Sequence, residues 1–130
     1  MYELAYDGAF VNFRYALSRK DAKDRIMELE KLAGKLDKAD RNNGHVHNIL
    51  GYFYYAEGNK EKAKAHLDKY MELRPDSYNA YDSMGEYYFN EGDMENALAY
   101  YKKARMHYPA SVSATNKIEE IEEKMGTKKE

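Results

Sequence analysis

Histidines, carboxylates and an unusual number of tyrosines are the side chains here that could do chemistry. His45-Val46-His47 has the density of a metal motif, but residues two apart on a helix do not face each other. The chain has no cysteine, and no carboxylate stands in helical register on both sides of that pair, so no metal site is expected. His66 and His107 lie far apart, each without an evident catalytic companion. No serine sits in a strand–turn–helix elbow, and there is neither a glycine-rich phosphate loop nor a His-x-x-Glu type of spacing. Neither catalysis nor a cofactor is expected. The pairs Tyr54-Tyr55, Tyr87-Tyr88 and Tyr100-Tyr101 resemble base-stacking platforms. Adjacent residues on a helix point ~100° apart, however, so one member of each pair packs inward while the other reaches the surface.

The charge balance removes further classes. A formal net charge of −2 supplies no field for nucleic acid or an anionic membrane. The most basic stretch, Arg14 to Arg41, has its carboxylates interspersed and reads as an ordinary solvated surface. Hydrophobic residues at 43% and aromatics at 14% are too many for a disordered chain. No apolar run approaches the ~18 residues of a membrane span. The start, MYELAYDGAF, is acidic and unlike a signal peptide, which makes the cytoplasm the default expectation.

The elements that must position these side chains repeat. Residues 44–77 fall on residues 78–111 when slid by 34 positions. Gly51 then meets Gly85, Tyr54 meets Tyr88, Gly58 meets Gly92, Ala63 meets Ala97 and Pro75 meets Pro109. That period is a signature of helix–turn–helix solenoids. In each repeat a first helix, about 44–57 or 78–91, stops at Gly58 or Gly92, which suit a left-handed C-terminal cap. Asn59 or Asp93 is placed to cap the second helix, which runs on to Pro75 or Pro109. Gly51 and Gly85 lie inside helices, where glycine costs ~1 kcal/mol against alanine. Close approach of a neighbouring helix, eased by Ala63 and Ala97, is the expected compensation.

Ahead of the repeats, Tyr2, Tyr6, Phe10, Phe13 and Leu17 make one apolar stripe, and Ser18 to Asp21 a turn. A helix over about 21–38 follows, facing inward with Ile26, Leu29, Leu32, Ala33 and Leu36, and residues 40–44 read as a loop. After the repeats, Ser111 or Ser113 starts a last helix that buries Ile118, Ile121 and Met125 and turns its glutamates outward, as a terminal cap must. The expected layout is one all-α domain over residues 1–125. It comprises a degenerate hairpin (1–43), two repeats (44–77, 78–111), a capping helix (112–125) and a frayed tail (126–130).

At these residues the chain resembles the tetratricopeptide repeat (TPR) family. The second repeat carries the pattern through Tyr81, Met84-Gly85, Tyr88, Gly92, Ala97, Tyr101, Ala104 and Pro109. The first carries Leu50-Gly51, Tyr54, Gly58, Ala63, Leu67 and Pro75, and departs at His47, where an aromatic is usual, and at Tyr70, where a small residue is usual. The resemblance implies a right-handed solenoid of about seven helices, three hairpins plus a cap, whose first helices line a concave groove for a peptide or protein. The groove residues it implies are Asn48, Tyr52 and Tyr55, then Asp82, Glu86 and Phe89, then Asn116, Glu120 and Glu123, with His45, Asn79 and Asn90 at the rim. Family members that bind chaperone C-terminal carboxylates present Lys, Asn and Arg there. Asp82 and Glu86 would repel such a ligand, so a basic or amine-bearing segment that also stacks on Tyr52, Tyr55 and Phe89 is expected instead. The first functional reading is therefore an interaction scaffold. The second is an accessory module that docks or dimerises within a larger protein, with the Tyr2, Tyr6 and Phe10 stripe as the first candidate for self-association.

Overall fold

The structure is a computed structural model that describes residues 19–36 and 40–126. Its elements are helices throughout: α1 (Arg19–Lys35), α2 (Arg41–Ala56), α3 (Lys60–Leu73), α4 (Tyr78–Asn90), α5 (Met94–His107) and α6 (Val112–Met125). This is the expected all-α repeat architecture. The helix expected over Tyr2–Leu17, with its apolar stripe, lies outside the described residues, as do residues 127–130 of the tail. The chain divides into two compact units, one ending at Leu73 and the other starting at Arg74. In the first, α2 packs against α1 and α3; in the second, α5 packs against α4 and α6.

Local chemistry sets the helix ends. At the end of α2, Gly58 takes φ +87°, and its N–H donates to Tyr55 O at 3.0 Å while Asn59 N–H donates to Tyr54 O at 2.9 Å. The end of α4 repeats this with Gly92 (φ +82°) donating to Phe89 O and Asp93 to Tyr88 O. Both are Schellman caps, which need a residue tolerant of positive φ. The side chains of Asn59 and Asp93 then accept from Lys62 N and Asn96 N, each at 3.2 Å, and open the next helix. Ser111, rather than Ser113, opens α6 by accepting from Ala114 N at 3.1 Å.

Three expectations in the first unit are corrected. Arg19–Asp21 are already helical, and α1 stops at Lys35. Residues 41–43 are the first turn of α2 rather than a loop, because Asp40 accepts from Asn42 N at 2.9 Å and caps the helix early. Asn43 is buried in that turn and its amide reaches Leu36 O at 3.4 Å. Leu32 is 42% exposed, since the buried stripe of α1 is Ala22, Ile26 and Leu29, continued by Ala33 and Leu36. Leu32 falls on the edge of that stripe.

The two helical glycines mark the helix crossings, as expected, although the closest neighbours are not the alanines. A Cβ on Gly51 would meet Leu67 Cδ2 at 2.7 Å, with Ala63 O at 3.4 Å, and one on Gly85 would meet the Tyr101 ring at 3.0 Å. Tyr70, the large residue in a position where the family keeps a small one, is buried against His45 with ring centroids 6.4 Å apart.

Candidate functional site

The expected groove residues fall into two groups. In the first unit, Asn48 and Tyr52 are 1% and 3% exposed. Tyr52 belongs to the buried cluster with Ile26, Leu29, Ile49 and Phe53, and half-buried Tyr55 packs against it. The expected wall of Asn48, Tyr52 and Tyr55 is thus corrected: core packing has closed it, and only Tyr55 is partly accessible. His45 is half-buried.

In the second unit four of the expected residues, Asp82, Glu86, Phe89 and Glu120, neighbour one side chain, Tyr101. Burial pushes the ionisation of the Tyr101 hydroxyl up, and Asp82 and Glu86 on α4 and Glu120 on α6 add to that rise electrostatically. Phe89 packs against the core cluster of Tyr101, Ile118 and Ile121. Lys117, which sequence reasoning missed, joins the two helices. Its ammonium lies 3.9 Å from the centroid of the Phe89 ring and 3.6 Å from the Glu120 carboxylate. An i+3 pairing with Glu120 was readable in the sequence; its approach to Phe89 was not. Asn116 is exposed on α6, Asn79 is half-buried on α4, and Asn90 donates to the Glu86 carbonyl at 2.8 Å.

Asp82 is held by a chain that starts at the cap of α6. Ser111 Oγ accepts from Ala114 N and lies 2.8 Å from the Tyr78 hydroxyl, which reaches Asp82 Oδ1 at 3.4 Å. With Ser111 donating to Tyr78, each hydroxyl proton has an acceptor. Burial pushes the Asp82 carboxyl up to about 6, and the Tyr78 hydrogen bond and the Lys117 charge oppose that rise. At neutral pH the face therefore carries an ionised carboxylate that is short of solvent. Ser111→Ala would remove both the cap and the Tyr78 partner. The expected loss is ~1 kcal/mol by chemical denaturation, and an unchanged midpoint would show that the cap is dispensable.

The first unit holds a second constellation that sequence reasoning did not connect. His47 Nδ1 and His66 Nδ1 are 2.9 Å apart, and His66 Nε2 is 3.4 Å from Glu30 Oε2. The same carboxylate oxygen accepts from the Tyr54 hydroxyl at 2.6 Å. His66 therefore has companions after all, supplied by α1 and α2. The departure from the family pattern at His47 was the one signal in the sequence. Among the described residues no group of three or more potential ligands could hold a metal ion. No helix among them is long and apolar enough to cross a membrane.

A family model described as tetratricopeptide repeat matches residues 44–77 and 78–104. A search of curated proteins finds no match to the chain.

Proposed function

Because residues 44–77 and 78–104 belong to the tetratricopeptide repeat family, whose repeats generally mediate protein–protein interaction, we propose that this chain is an interaction scaffold whose α4–α6 face takes a cationic peptide or protein segment. The observation that carries this reading is Lys117. A lysine of the chain's own sits over Phe89, beside Glu120 and within the field of Asp82, and models the cation that a partner would bring. A cation over an aromatic face with carboxylates at its edge gains from both attractions, more so where water is partly excluded. An anionic partner would meet Asp82, Glu86 and Glu120 and be repelled.

The test is a selection of displayed peptides on the full chain, followed by affinities for the selected sequences. Peptides with Lys or Arg next to an aromatic or aliphatic residue should be enriched. Glu86→Lys should weaken them by about tenfold, as expected for reversing one charge in a partly desolvated site. Lys117→Met should strengthen them by removing the internal competitor. Enrichment of acidic peptides, or affinities indifferent to Glu86→Lys, would refute the reading.

The Asp82 carboxyl adds a pH dependence of known sign. A bound cation favours the ionised form, so affinity should be full above pH 6 and fall as the pH drops through about 6. Asp82→Asn should flatten that profile.

The reading as an accessory docking or dimerisation module is favoured by a different feature. Met106 and Val112 are 78% and 71% exposed where α5 passes to α6. Self-association abolished by Met106→Ser with Val112→Ser would move function to that corner. A monomer at high concentration by light scattering would count against it.

A further inference from the structure

The two repeats can be overlaid position by position, and the first differs where the side chains could carry a proton. Tyr54 and His66 stack with centroids 5.5 Å apart and planes 5° from parallel. Their equivalents 34 positions on, Tyr88 and Tyr100, stack at 5.6 Å and 9°. The ring stack is thus the same in both units, but the first uses an imidazole. The residue equivalent to His47 is Tyr81, so the first repeat carries histidines at two positions where the second carries tyrosines, and those two histidines meet.

Three of the four ring nitrogens of that pair have a partner, His47 Nδ1 and both nitrogens of His66. A separation of 2.9 Å between two Nδ1 atoms requires one proton between them. The carboxylate of Glu30 on the other side of His66 selects Nε2–H there, which leaves His66 Nδ1 as the acceptor and His47 Nδ1–H as the donor. One further proton can be accommodated by making His66 a double donor and switching the tautomer of His47. A second cannot, because two N–H groups would then point at each other across 2.9 Å. The charged groups facing the pair are Glu30 from α1 and Lys62 and Lys69 from α3; α2 contributes the neutral Tyr54 hydroxyl. Glu30 alone favours protonation, and it already accepts from Tyr54 and His66.

We propose that Glu30, Tyr54, His66 and His47 form a proton-operated clasp, which holds α1 to the α2–α3 hairpin while at most one ring of the histidine pair is charged and lets α1 go when both are. Glu30 is the bridging residue, since it reaches α2 through Tyr54 and α3 through His66. The electrostatics agree with the geometry. Burial and the neighbouring His66 depress His47 from 6.5 to about 4, and burial likewise lowers His66. A histidine depressed in the folded state contributes stability above its unfolded value that is lost as the pH falls. The clasp is therefore closed above pH 6.5 and opens progressively between 6.5 and about 4.

The second repeat supplies the control. His47→Tyr with His66→Tyr places in the first repeat the residues that the second already carries, so the stack is retained and the titration removed. The experiment is hydrogen exchange of the α1 amides in the full chain at pH 7.5 and pH 5, corrected for intrinsic exchange, together with an NMR titration of the imidazoles. In the wild type, α1 protection should fall by about tenfold at the lower pH, a fraction of what the His47 shift would yield if fully desolvated. The double tyrosine variant should hold its protection, and Glu30→Gln should show weakened protection already at pH 7.5. Equal losses in wild type and double variant would overturn the proposal, as would a His47 imidazole titrating at or above 6.5. Should the double variant fail to fold, the titration and Glu30→Gln still decide the matter.

Discussion

Gly85→Leu is expected to lower folding stability by about 1–3 kcal/mol, read as a shift of the urea midpoint at constant slope. A single methyl at this position already meets three carbons of the Tyr101 ring at 3.0 Å, so the rest of a leucine has nowhere to go unless that ring moves. The ring is hemmed in. Tyr101 is buried together with Ala97, Ile118 and Ile121, and its hydroxyl faces Asp82 and Glu86. Leucine's better helix propensity offsets at most ~1 kcal/mol of the clash. Gly51 is the natural comparison, because a Cβ there would meet Leu67 Cδ2 at 2.7 Å and Cγ at 2.9 Å, and Leu67 is as buried as Tyr101. Gly51→Ala, which adds only that one methyl, should cost less than Gly85→Leu. A midpoint for Gly85→Leu equal to that of the wild type would show that the α4–α5 crossing is not tight.

Asn48→Leu is expected to do the opposite and stabilise the chain by about 1–3 kcal/mol. Asn48 is 1% exposed, and neither its amide nitrogen nor its amide oxygen has a hydrogen-bond partner among the described residues. An unsatisfied buried amide costs about that much, whereas leucine has the same branching and no polar atoms to desolvate; its bulkier methyls are the one opposing effect at so tightly buried a site. The neighbouring Ile49, Leu50 and Tyr52 offer an apolar surround. Thermal and urea unfolding of the single variant would check this, and destabilisation would mean that the amide is satisfied in solution. If stability rises while affinity for selected peptides falls, Asn48 is kept for recognition at a cost to the fold.

Most of the fold was legible because its determinants are local. Gly58 and Gly92 had to end helices, since positive φ disfavours any side chain. Asn59, Asp93 and Ser111 had to start them, since each offers an oxygen to orphaned N–H groups. The repeat made each inference twice, which is why helix pairing and the close approach at Gly51 and Gly85 could be expected together. Where the local signal is ambiguous, packing decides. Asp40 and Asn43 are as common in loops as in first turns, and Leu32 lies at the edge of the apolar stripe it was assigned to.

The candidate site was legible only in part. Asn48 and Asp82 are equivalent by repeat and alike on a helical wheel, yet one is sealed in the core and the other rests beside Tyr78, Ser111 and Lys117. Likewise Lys117 over Phe89, and Glu30 beside His66, join residues 28 and 36 positions apart, and no short-range spacing reveals such pairs. By itself the sequence determined the helices, their ends, their repeat and the acidic character of α4 and α6, because those follow from residue type and neighbours along the chain. The tertiary structure alone decided which polar side chains stay accessible, where Asp82 is partly shielded from solvent, and that two histidines share a proton. Burial and electrostatics depend on what packs across from a residue, and that is supplied by other helices.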